Sequence, residues 1–303
     1  MQTAERYRAR FIQLQMRYLR EHGDWDWAAF VDGLIARRPK LCASSYRQYR
    51  AAVVWALQVE RPEQAEALRA RLRDVGSAGR RGDLPCRTSA GKAKSLRIEE
   101  VHRLVLWLQD HGGIWDDLAA RWLFWSIQTG LRPIEWRDAM LQPNALGYSL
   151  EIRNAKHSQG RAHGEHRTVH LQIKASEAFA LQAFLDRVQG DFEAAYQGCR
   201  LALHRATQTL WPRRMRQPSL YTGRHQFAAD AKASGLAPEA IAALMGHAVT
   251  DTHQTHYGKR RCGRAGLIVA ADPEDVQRVR ARMQARSDSQ ALRAGAPSIG
   301  PGE

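Results

Sequence analysis

The stretch "GHAVTDTHQTHYGKRR", residues 246–261, holds one tyrosine among three histidines and carries Lys259, Arg260 and Arg261 directly after it. Tyr257 there is a packing residue, the neighbour of a ligand or a nucleophile, and its surroundings decide which. Just upstream, "APEAIAALMG" (237–246) has helical apolar spacing and ends in glycine, so the histidine-rich run leaves a helix C-terminus. His247, His253 and His256, with Cys262 nearby, do not read as a metal site. Only His253 and His256 have helical spacing, and no closed ligand set forms around them.

Composition narrows the classes. The chain has 303 residues, 44% of them hydrophobic, and a formal net charge of +15. That length favours about two domains. The charge attracts a polyanion at long range, with nucleic acid ahead of an acidic membrane surface. No apolar run approaches the roughly 20 residues of a membrane span. The start "MQTAERYRAR" lacks a signal peptide's apolar core, and the expected location is cytoplasmic. Cys42, Cys86, Cys199 and Cys262 form no CxxC pair, which argues against a disulfide framework or a thiolate zinc site.

The pattern along the chain predicts a mainly α fold with a small antiparallel β-sheet in two domains. Residues 1–78 read as helical, with apolar positions at helical intervals in "RYRARFIQLQMRYLREHG" and "SSYRQYRAAVVWALQ". Ser44 or Ser45 would cap the second helix. Arg47 and Arg50 share a face there as a solvated or a phosphate-contacting pair. Residues 79–95 read as a basic linker in which Arg80, Arg81, Lys92 and Lys94 would follow a DNA backbone. Residues 96–286 would be a second domain, which the resemblance drawn below makes the catalytic one: helices in "SLRIEEVHRLVLWLQDHG" and "AARWLFWSIQTG", then strands "YSLEIRN" and "RTVHLQI" forming a hairpin, then helices again. The hairpin histidines His157, His163, His166 and His170 are expected to face solvent or DNA. Residues 287–303 are expected to be a disordered tail.

Three boxes carry a family resemblance. "TGLRPIE" (129–135), "YTGRHQFAADAKASG" (221–235) and "IAALMGHAVTDTHQTHYGK" (241–259), in that order, resemble the motifs of the tyrosine recombinases, the phage-integrase family of site-specific recombinases. The match runs from about 95 to 260 and is specific as a set, while each box alone is weak. The resemblance implies a helical core-binding domain followed by an integrase catalytic domain. It maps the two arginines onto Arg132 and Arg224, the histidine onto His247, the nucleophile onto Tyr257 and the mobile lysine onto Lys156. The chain departs from the pattern at Tyr221, where histidine is usual, and at Met245, before the glycine. His225, next to Arg224, is expected to point about 100° away.

This set of residue types suits phosphoryl transfer. Two guanidiniums bracket the charge that develops on the non-bridging oxygens. The resemblance implies that the tyrosine nucleophile forms a 3′-phosphotyrosyl link that retains the phosphodiester's energy, and that the lysine protonates the departing 5′-oxygen. His247 would orient the phosphate. The resemblance implies no metal, ATP or other cofactor. It implies double-stranded attachment sites as partner, integration or excision of a mobile element as outcome, a tetramer around two duplexes, and an accessory DNA-bending or directionality protein. The alternatives are type IB topoisomerase chemistry and a catalytically inert DNA-binding regulator, for which Tyr221 is the hint. The helix expected over 273–286, with Val276 and Val279 on one side, would dock onto a neighbouring protomer or pack back on its own domain. Limited proteolysis is expected to cut first between Gly76 and Lys94; a first cut within 100–250 would contradict the two-domain layout.

Overall fold

The computed structural model of the chain describes residues 2–75, 92–145, 147–155, 157, 162–250 and 257–294. The chain divides into two compact units, residues 1–87 and 88–303, each with its own core. Arg80 and Arg81 of the expected linker lie outside the described residues, as do Lys156, His253 and His256.

The first unit contains α1 (Gln2–His22), α2 (Trp27–Arg37), α3 (Ala43–Glu60) and α4 (Pro62–Asp74). Tyr7, Phe11, Leu14 and Tyr18 return every three or four residues on α1, and this stripe closes over Trp27, Phe30, Val31 and the inner face of α3. Phe11 stacks on Trp27 at 5.3 Å between ring centroids. Asp26 caps α2 by accepting from the Ala29 amide at 2.6 Å. The cap of α3 differs from expectation: Cys42 occupies it, and the Ser44 and Ser45 hydroxyls lie within the first turn at 3.3 and 3.0 Å from the Cys42 sulfur. Arg47 is exposed and Arg50 half-buried on that helix.

The second unit is built on α5 (Ile98–His111), α6 (Asp116–Thr129) and α9 (Leu220–Ala233), with α7 (Ala175–Gly190) and α8 (Phe192–Leu210) packed around them. α6 is buried on nearly every side because "LAARWLFWSI" leaves only Arg121 and Phe124 exposed. It stops at Gly130, whose φ of +71° is left-handed. A Cβ at Gly130 would lie 2.3 Å from the Phe227 ring of α9. This close approach sets the carbonyl of Gly130 against α9 and brings the chain after α6 to the site. α10 (Pro238–Leu244) ends likewise at Gly246, φ +61°, where a Cβ would collide with the Asn154 and Arg167 side chains.

The expected hairpin is the centre of a four-stranded antiparallel sheet in the order β1 (Met140–Asn144), β2 (Gly147–Arg153), β3 (His166–Leu171), β4 (Val269–Ala271). Leu150 pairs with Val169, and Val169 with Ala271. β1 and β4 escaped the sequence reading because β1 contains Pro143 and lacks alternation, and three residues of β4 are too few to show a period. The segment after the candidate tyrosine therefore folds onto its own chain. α11 (Pro273–Ala294) continues that course, with Val276, Val279 and Met283 against Ala242 and Ala243 of α10. Of the two courses expected for this helix, the structure shows the one that packs back on its own domain. The helix also runs eight residues beyond 286, since "SDSQALRA" keeps good helix formers.

The linker end shifts as well. Lys92 bridges to Gln217, the Ala93 amide donates to the Gln217 carbonyl at 3.1 Å, and the Leu96 amide donates to Gln226 Oε1 at 2.8 Å. Lys92 and Lys94, both exposed, thus belong to the second unit. No helix among the described residues is long and apolar enough to cross a membrane. Gly130→Ala should cost about 2–4 kcal/mol, from a left-handed Cβ plus overpacking against Phe227. Thermal denaturation would read this as a clear fall in Tm; an unchanged Tm would contradict the close crossing.

Candidate active site

Four chain segments converge on one buried point in the second unit. Arg132 follows the Gly130 turn at the start of a short 3-10 helix, Pro133–Arg137, with proline at its first position. Arg224 sits mid-way along α9, three residues beyond Tyr221 and so on the same face. His247 follows the left-handed Gly246 that ends α10. Tyr257 is 9% exposed and packs its ring 4.8 Å from that of His225 and 5.3 Å from that of His247.

Glu135 joins these parts. The residue is 2% exposed, and its carboxylate accepts from the Arg132 amide at 2.8 Å, Arg132 Nη1 at 2.5 Å and Arg167 Nη2 at 2.8 Å. Arg224 Nη1 lies 3.7 Å from the same carboxylate. Burial opposes ionisation of Glu135, but Arg167, then Arg132 and Arg224, outweigh it and hold the carboxyl well below its usual range. Three guanidinium charges therefore face one carboxylate, and the surplus is positive. Backbone carbonyls take up part of it: Arg224 Nη1 donates to Gly130 at 2.6 Å and Nη2 to Met245 at 2.5 Å, while Arg167 Nε donates to Leu244 at 2.9 Å. Arg167 also bonds the Asn154 side chain. Arg224 Nη2 further donates to His247 Nε2 at 2.9 Å, since guanidinium has no acceptor to offer. The buried Arg132 Nε has no hydrogen-bond partner among the described residues.

The Tyr257 hydroxyl lies 2.8 Å from the Tyr221 hydroxyl and 3.4 Å from Arg224 Nε. Burial raises a phenol's pKa, yet Arg224, Arg132 and the hydrogen bonds from Tyr221 and Arg224 prevail and bring Tyr257 down to about 8. Burial pushes Tyr221 up, with Arg224 opposing and Tyr257 adding to the rise. His225 goes down to about 4 through burial and the cations Lys94, Arg224 and Lys92, so its ring is neutral at pH 7.

Of the residues singled out from the sequence, Arg132, Tyr221, Arg224, His247 and Tyr257 come together; Lys156 is not described. His225 joins them, against expectation. It does leave the face of Arg224, but the Tyr257 ring lies between the two faces and meets both. His163 is also corrected: it is 3% exposed, with Nδ1 3.3 Å from the His247 carbonyl and Nε2 3.0 Å from Asp275. His170 is half-buried and reaches Asp272 at 3.2 Å, whereas His166 is exposed. Among the described residues no group of three or more His, Cys, Asp or Glu side chains is placed to hold a metal ion. Sequence reading missed Arg167, Asn154 and Asp275. Arg167 left one usable signal: a cation at an inward position of a strand otherwise filled by Val169 and Leu171 requires a buried anion.

The sequence matches no family profile and no curated protein. Among solved structures it is similar to an arginine-to-alanine variant of protelomerase TelA complexed with a DNA hairpin product, at 17% identity over 86% of this chain and 85% of that chain, TM-score 0.49. It is similar to the XerH site-specific recombinase bound to palindromic difH substrate in a post-cleavage complex, at 15% identity, 78% and 67% coverage, TM-score 0.46. It is similar also to the Tn1549 transposon integrase in complex with circular intermediate DNA, at 13% identity, 81% and 94% coverage, TM-score 0.43.

Removing the shared anion tests the geometry. Glu135→Gln should lower stability at neutral pH by about 3–5 kcal/mol, the cost of stranding buried guanidiniums. Because the folded-state pKa of Glu135 is depressed, its contribution is present above the ordinary glutamate value of 4.5 and is lost as pH falls through the folded value. Urea titrations of both proteins should therefore converge only in strong acid; equal stability at pH 7 would contradict the assignment.

Proposed function

We propose that this protein cuts and rejoins specific DNA sites as a tyrosine-recombinase-type enzyme, through a 3′-phosphotyrosyl intermediate. The observation that carries the reading is the Tyr257 oxygen held beside Arg224, the buried Arg132 Nε having no hydrogen-bond partner among the described residues of the same cluster. A buried guanidinium N–H without a partner is costly, and a phosphate oxygen is a fitting acceptor for it.

In the proposed reaction the Tyr257 oxygen attacks the scissile phosphorus, the Tyr257 O–P bond forms and the bond to the 5′-oxygen breaks. Arg132 and Arg224 stabilise the charge gathering on the non-bridging oxygens. His247, fixed by Arg224 and by the turn at Gly246, orients the phosphate. Lys156 delivers a proton to the departing 5′-oxygen, and reversal with a new 5′-hydroxyl rejoins the strand. The first unit, with Arg47 and Arg50, serves as a core-binding domain. Lys92 and Lys94, with Arg80 and Arg81, contact phosphates. Integration or excision of a mobile element in the cytoplasm is the proposed setting, with four subunits pairing two attachment sites and an accessory DNA-bending or directionality protein assisting.

The test uses a nicked duplex containing the attachment sequence. Wild type should give a protease-sensitive covalent adduct. Tyr257→Phe should give none while binding DNA within a few fold, because one hydroxyl and no charge is lost. Arg132→Lys, which keeps the charge but loses the fork, should slow cleavage by about 10²-fold or more. Adduct persisting in the Phe variant would sink the nucleophile assignment. Adduct without exchange between two duplexes would favour topoisomerase chemistry, and no adduct from wild type the regulator.

A further inference from the structure

Tyr221 occupies α9 one turn before Arg224, and its hydroxyl makes the shortest contact to the Tyr257 oxygen among the described residues, at 2.8 Å. Arg224 Nε approaches the Tyr257 oxygen at 3.4 Å. The groups facing Tyr257 come from each element packed on it: Tyr221, Arg224 and His225 from α9, His247 from the turn after α10, and Arg132 with its counter-ion Glu135 from the 3-10 helix. Among the described residues the hydrogen-bond neighbours of the Tyr257 hydroxyl are Tyr221 and Arg224. Two phenols sharing one hydrogen bond must divide the roles of donor and acceptor. The guanidinium resolves the choice. Arg224 Nε donates to the Tyr257 oxygen, so negative charge is favoured there, and Tyr221 becomes the second donor to it.

We propose that Tyr221 is a positioning residue that donates its hydroxyl hydrogen bond to the Tyr257 oxygen and holds that oxygen as an aligned phenolate. The proposal rests on the reading of Tyr257 as nucleophile and explains what a second tyrosine does in place of a histidine. Titration runs the same way: Tyr257 is brought down to about 8 while burial pushes Tyr221 up, so Tyr221 retains its proton through the range in which Tyr257 loses its own. The proton of Tyr257 leaves to solvent before attack. On attack the phenolate electron pair forms the O–P bond, the 5′-oxygen departs with the electron pair of the bond that breaks, and the proton of Tyr221 stays on Tyr221. This donor weakens its hold as the charge moves away from the Tyr257 oxygen to the phosphate.

The experiment is a tyrosinate absorbance titration of the full chain without DNA, for wild type, Tyr257→Phe and Tyr221→Phe, beside the pH profile of cleavage of a nicked duplex. Wild type should show one phenol ionising near 8, absent in Tyr257→Phe. In Tyr221→Phe that ionisation should persist with its pKa raised by about one to two, the worth of one hydrogen bond to a charged group. Cleavage by Tyr221→Phe should fall about tenfold or more at pH 7 and recover as pH rises. A titration unmoved in Tyr221→Phe would overturn the proposal, as would its disappearance, which would make Tyr221 the ionising phenol. A rate loss equal at every pH would overturn it too, leaving Tyr221 a packing role. A shifted titration in a protein whose wild type forms no adduct would uphold the hydrogen bond and refute the nucleophile reading instead.

Discussion

The site depends on one buried carboxylate. Glu135 meets Arg132, Arg167 and Arg224, which arrive from three different elements, and all three guanidiniums are buried, so each needs a partner to offset the cost of leaving water. Their attraction to one anion fixes the end of α6, strand β3 and helix α9 relative to one another. Because the cluster holds more positive than negative charge, its surplus falls on whatever oxygen lies next to it. In this chain that oxygen belongs to Tyr257.

The surrounding fold keeps the arrangement rigid. Gly130 and Gly246, both left-handed, permit backbone approaches that any side chain would block, and their neighbours Leu131–Arg132 and His247 are set down at the cluster as a result. A second buried pair extends the network: His163 touches the His247 carbonyl on one side and Asp275 of α11 on the other, and Asp275 also accepts from the Thr168 amide at 2.9 Å. The last helix is thereby tied through β3 to the turn that carries His247. Its apolar residues are consumed in the same contact, with Val279 buried against α10.

What the sequence revealed follows from the range of each signal. Helices such as "ASEAFALQAFLDRVQ" were legible because apolar spacing is a local property, and the two central strands because alternation is. The five converging residues were legible only as an ordered set of boxes, since no one of them is distinctive alone. The role of Glu135 was hidden, because a glutamate in the first turn of a helix reads as an ordinary surface charge until burial is known, and Arg167 offered only its inward place on β3. The cis course of α11 was hidden for a related reason. Val276 and Val279 announce an apolar side and say nothing about which chain covers it. His225 shows the limit of helical geometry, which gives the direction of a side chain and not the path of the segment it meets.

The Tyr257 oxygen is the atom proposed to attack DNA phosphorus. The most direct measurement is mass spectrometry of the covalent protein–DNA species, trapped on a nicked duplex and digested with protease and nuclease. Residual nucleotide is expected on the peptide containing Tyr257, attached through the phenolic oxygen. Nucleotide found on Tyr221, or on any residue outside this cluster, would contradict the proposal.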